Sequence, residues 1–170
     1  IWITIMYTMI GAVWALCYKD VFGIGVAGLK MVSTIFLIYE AVARFVWFRF
    51  SIWSQGYTLK GVGRKLLYSG PIVLAVILSI ANIGTEVLWS VQKNTSSFQY
   101  GKAFVWFVAV EYSYFVVPAI CAFLKSMIIS DKKGKRRQRM FLIFSALPLL
   151  LAIVQIETKM LPSVAGTYLS

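Results

Sequence analysis

Three glutamates and two cations stand in stretches where water is scarce. Lys30, Glu40 and Arg44 lie in or at the edge of the apolar run 30–49, KMVSTIFLIYEAVARFVWFR, and Glu86 and Glu111 lie in two later apolar runs. A run of about 20 such residues is long enough to cross the hydrocarbon core of a bilayer as a helix. A bare charge there costs at least about 2.5–3.5 kcal/mol, so such residues pair with one another or face a protein interior. Glu40 and Arg44 are four apart, share one helical face and can pair. Carboxylates so placed can hold a ligand, an ion or a proton; the plainer alternative is that they only fix helix register and partner choice.

The surrounding chain must hold these groups in lipid. Of its 170 residues 60% are hydrophobic and 16% aromatic, too little polar surface for a soluble domain of this size. The composition predicts an all-α, polytopic transmembrane bundle of about five spans in a single domain, residues 1–157. The spans are expected at about 1–18, 24–50, 66–91, 103–129 and 140–156. Residues 158–170 read as a short polar tail or the start of a further element. Pro71 is expected in the first turns of the third span, where proline is tolerated best. The stretches 51–65, 92–102 and 130–139 read as connections, the last of them a basic loop.

Seventeen lysines and arginines against six acids give a formal charge of +11. The connections after the second and fourth spans carry eleven cations, from Arg49 through Arg139. Only Lys19, Lys93, Lys102 and Lys159 fall on the opposite side. The positive-inside rule therefore predicts a cytoplasmic N-terminus. The basic stretch Lys132–Arg139 reads as a topology signal touching anionic lipids, with docking of a cytosolic partner as the sharper alternative. Nucleic acid is not an expected partner. Asn94-Thr95-Ser96 is a glycosylation sequon on the outer side.

There is no histidine, which removes haem ligation by His, the usual zinc sites and Ser-His nucleophiles. No metal, cofactor or catalytic residue is expected. Cys17 and Cys121 read as small core residues rather than a disulfide or metal pair. Counted from the outer ends of their own spans, Lys30, Glu86 and Glu111 fall in the outer half and Glu40 and Arg44 in the inner half. Lys30 is therefore expected to meet Glu86 or Glu111, and Glu40 to meet Arg44 or a neighbour. Ser79, Asn82, Glu86 and Ser90 are expected on one face of the third span. Tyr112 and Tyr114 are placed to hydrogen-bond Glu111.

Glu40 with Trp47 seven residues on, Glu86-Val87-Leu88-Trp89 followed by Phe98-Gln99-Tyr100-Gly101, and Glu111-Tyr112-Ser113-Tyr114 leading to Pro118 together resemble the EXPERA-domain membrane proteins. That family includes the emopamil-binding sterol isomerases and the sigma-2 receptor. The resemblance covers about residues 39–133. It implies a helix-lined cavity for a sterol-like, often cationic ligand, with Glu40 as a cavity acid, Tyr114 in place of a tryptophan near the ligand, and Glu86 and Glu111 at the family's Asp and Asn positions. The isomerases' His and Glu on the preceding helix have no counterpart in the first span, so the resemblance implies binding rather than isomerisation. The expected ligand-binding set is thus Glu40, Arg44, Glu86, Glu111 and Tyr114, with Lys30 as a helix-pairing charge. The expected membrane is the endoplasmic reticulum or the plasma membrane. Two alternatives remain: an accessory subunit of a larger membrane complex, or the middle of a seven-helix receptor, which Pro118, Pro148 and the basic stretch between them resemble.

Overall fold

A backbone in lipid must satisfy its own N–H and C=O groups, and long apolar runs do so as helices. The computed structural model describes residues 2–18, 22–57, 60–91 and 98–158. Its order is α1 (Trp2–Tyr18), α2 (Gly25–Ser54), α3 (Val62–Thr85), β1 (Trp89–Val91), β2 (Phe98–Tyr100), α4 (Phe104–Ile128) and α5 (Lys132–Thr158). Among the described residues the fold is all-α apart from one short hairpin. Helices α2, α3 and α4, of 30, 24 and 25 residues, are long and apolar enough to cross a membrane. At about 1.5 Å per residue even α3 exceeds the roughly 30 Å hydrocarbon core. The chain is an integral membrane protein. Asn94 and the tail beyond Thr158 lie outside the described residues.

Helix α2 is the hub, packing against α1, α3 and α4, while α4 pairs with α5. Trp14 of α1 donates its indole N–H to Ser33 Oγ at 2.9 Å and lays its ring against Phe36. One core cluster gathers Leu29, Leu37 and Ala41 of α2 with Ala75, Leu88, Trp89 and Phe107. A second sets Phe48 and Ile52 against Tyr114.

Four boundaries differ from the sequence expectation by four residues or more. Helix α3 stops at Thr85 instead of running on to residue 91, because the Asn82 side chain takes over the backbone there. Its Oδ1 accepts the N–H groups of Leu88 (2.6 Å) and Trp89 (3.2 Å), and its Nδ2 donates to the Trp89 carbonyl at 3.0 Å. Glu86 closes the helix in the left-handed region, φ 53°, with its N–H on the Asn82 carbonyl. Trp89-Ser90-Val91 then pairs antiparallel with Phe98-Gln99-Tyr100, so Glu86 and Ser90 are not on α3. The hairpin folds back so tightly that a Cβ on Gly101 would lie 2.0 Å from the Val87 carbonyl oxygen, and only glycine fits.

The basic stretch is helix rather than loop. Asp131 caps α5, its carboxylate accepting the N–H groups of Lys133 (3.3 Å) and Gly134 (2.9 Å), so Lys132–Arg139 forms the first two turns. Helix α2 also continues a full turn beyond Phe50 to Ser54, and α3 begins at Val62. That earlier start puts Pro71 well inside α3 instead of in its first turns. There the Tyr114 hydroxyl bridges the ladder: it accepts the Ile72 N–H at 2.8 Å and donates to the Tyr68 carbonyl at 2.9 Å. Tyr68 and Ile72 are an i, i+4 pair, so the hydroxyl serves the two groups that a regular helix would join, next to the proline. Tyr114→Phe is expected to cost about 1–2 kcal/mol in thermal unfolding in detergent, toward the low end for orphaned backbone groups because these two are only partly buried.

Candidate functional site

Glu40 and Arg44 sit one turn apart near the middle of α2, and helical side chains lean toward their own N-terminus. The Arg44 guanidinium therefore reaches back to the level of Glu40. One of its terminal nitrogens, Nη2, bonds Glu40 Oε1, and the other, Nη1, bonds Glu111 Oε2 of α4. The Tyr112 ring packs on the guanidinium, 4.5 Å from its carbon to the ring centroid. Glu40, Arg44 and Glu111 are all buried, at 3%, 8% and 3% exposure, whereas Tyr112 is half-buried. Two carboxylates and one guanidinium thus form a triad joining α2 to α4 at mid-bundle. Glu111 Oε1 is buried and has no hydrogen-bond partner among the described residues.

Glu111 belongs with Arg44, not with Lys30, and helix stagger is the reason. α2 and α4 run parallel, and the Arg44–Glu111 bond joins positions 67 apart. Phe104 is then level with Leu37 (104 − 67), twelve residues (37 − 25) below the start of α2. That stagger is about 18 Å. Depth counted from the end of α4 therefore makes Glu111 look too shallow. The β1–β2 hairpin fills the gap, with Leu88 and Trp89 packed beside Leu29 and Leu37.

Lys30 pairs instead with Glu86, at the hairpin end, with 19% and 45% of their side chains exposed. Glu86 is thus apart from the triad. Tyr114 is apart too: its hydroxyl is spent on α3 and its ring lies between Phe45 and Phe48. The structure brings together Glu40, Arg44 and Glu111 of the expected set and separates Glu86 and Tyr114 from them. The residue that sequence reasoning assigned elsewhere is Tyr112, expected as a hydroxyl donor to Glu111 and found as a ring on Arg44.

At the far end of α2 the terminal carbonyls meet cations. Lys125 of α4 bonds the Gln55 carbonyl and lies 5.2 Å from the Tyr57 ring centroid, and Arg137 of α5 bonds the Ser54 carbonyl. Positive charge at a helix C-terminus is stabilising. Gln55 Nε2 donates to the Pro118 carbonyl at 3.3 Å, tying the same end to α4. Cys17 and Cys121 are free thiols. Among the described residues no group of three His, Cys, Asp or Glu could hold a metal ion.

No family model, no curated protein and no solved structure matches the chain.

Proposed function

We propose that this membrane protein binds a lipid-like amphiphile with a cationic head at the Glu40–Arg44–Glu111 triad, without catalysing a reaction. The observation that carries the reading is Glu111 Oε1, a buried carboxylate oxygen with no hydrogen-bond partner among the described residues. A purely structural link between α2 and α4 needs one acid for one guanidinium. The second acid adds a desolvated charge on the same guanidinium. An ammonium group beside Glu111 balances that charge and supplies the missing donor. The half-buried Tyr112 ring lies on the Arg44 guanidinium and offers an aromatic face to a cationic head beside the triad. The resemblance to the EXPERA-domain proteins supports a sterol-like body for the ligand. The reading places the protein in the endoplasmic reticulum or plasma membrane, and synthesis at the endoplasmic reticulum would present the Asn94 sequon to the glycosylation machinery.

The test uses the full chain in lipid nanodiscs with a fluorescent sterol carrying a protonated amine, and its neutral counterpart as control. Glu111→Gln keeps the shape of the side chain and removes the charge. It should weaken retention of the cationic probe by about tenfold or more, the scale of one lost charge-assisted hydrogen bond. Retention of the neutral sterol should not change. Equal retention of the cationic probe by wild type and Glu111→Gln overturns the proposal.

A further inference from the structure

We infer that the first turns of α5, with the apolar face directly below them, form a site for a membrane lipid whose headgroup carries more than one negative charge, such as a phosphorylated inositol lipid. Arg137 points toward α2, where it bonds the Ser54 carbonyl. At 100° per residue, Lys132, Lys135, Arg136 and Arg139 fall within an arc of about 100° on the opposite side of α5, over a rise of about 10 Å. Lys132, Arg136 and Arg139 are exposed and Lys135 is half-buried. The acid at this end of the helix, Asp131, is engaged in the cap of α5. Like charges at i, i+4, as in Lys132–Arg136 and Lys135–Arg139, repel one another, and a shared polyanion relieves that repulsion.

The same arc continues downward as apolar surface. Ile143 and Leu150 lie four and eleven residues beyond Arg139 and are 56% and 59% exposed. Cations above and exposed aliphatic side chains below, along one face of one helix, match a phospholipid: phosphates on Arg136 and Arg139, acyl chains along Ile143 and Leu150. A single-charge headgroup would leave most of the array unmatched, and a soluble acidic partner would leave the aliphatic half unmatched. Arginine forks suit phosphate oxygens, and clustered cations beside a membrane helix attract phosphorylated inositol lipids. This site is independent of the triad at mid-bundle.

The experiment reconstitutes the full chain in neutral-lipid nanodiscs and counts bound lipid by native mass spectrometry. A bisphosphorylated inositol lipid and phosphatidylserine are compared at matched total charge. The water-soluble inositol phosphate headgroup and an acidic peptide are competing arms. The inositol lipid should be preferred by about tenfold or more. That preference should be lost in Arg136→Gln/Arg139→Gln and kept in Arg64→Gln/Lys65→Gln, which removes the same charge from the exposed start of α3. No preference over phosphatidylserine, or equal loss in both double variants, shows a diffuse surface field and overturns the site. So does binding of the chainless headgroup or the acidic peptide as tight as that of the lipid.

Discussion

Arg44→Met is expected to destabilise the protein by about 3–5 kcal/mol, enough to collapse the yield of folded chain from detergent. The substitution roughly preserves apolar volume, so packing is not the cause. Arg44 is the guanidinium shared by Glu40 and Glu111, and its removal takes the described cation from two buried carboxylates at once. It also strips the Tyr112 ring of the cation it covers. Removing one acid is milder, because the guanidinium keeps the other: Glu40→Gln and Glu111→Gln should each cost well below half as much. Thermal unfolding of the three variants in one detergent checks the order. If Arg44→Met were as stable as either glutamine variant, the triad would not be a shared network.

Asn82→Leu is expected to cost about 3 kcal/mol or more. One side chain serves three backbone groups, the N–H of Leu88, the N–H of Trp89 and the carbonyl of Trp89, in a region where Leu88 and Trp89 are buried. Leaving buried backbone groups unmade costs about 1–3 kcal/mol each, and partial rearrangement recovers some of it. The released segment contains the close pass of Gly101 over Val87, so the whole hairpin should loosen with it. Hydrogen exchange reads this directly: protection of the Gly101 and Ala103 amides, which bond Leu88 and Val87, should fall while the middle of α2 stays protected. Unchanged protection would mean that the hairpin stands without Asn82.

The helices were legible because the length and apolarity of each run are local properties of the chain, and lipid leaves the backbone few other options. The Glu40–Arg44 contact was legible for the same reason, since i, i+4 spacing is read directly along one helix. Contacts that depend on how helices stagger were not. Placing Glu111 beside Arg44 requires knowing that α4 begins level with Leu37, and nothing within α4 announces that offset. The end of α3 was hidden differently. Asn82 sits in register with Ser79 and reads as part of a polar stripe, whereas its amide turns the backbone through hydrogen bonds to residues six and seven positions on. The start of α5 did carry a signal, Asp131 ahead of the basic run, masked by Gly134 and by the habit of reading clustered cations as loop. Tyr112 was visible beside Glu111, but a hydroxyl role was expected where the ring face is used.

The central claim is that the triad is a binding site and not only a link between α2 and α4, and one variant separates the two. Glu40→Leu/Arg44→Met/Glu111→Leu removes all three charges together. Replacing a buried ion network by apolar groups of similar volume is often neutral or stabilising by about 1–4 kcal/mol, so the triple variant should fold where Arg44→Met alone does not. Its retention of the cationic amphiphile in nanodiscs is the decisive measurement. The account predicts a folded protein with no retention above that of protein-free discs; a folded triple variant that holds the probe as tightly as the wild type would contradict it.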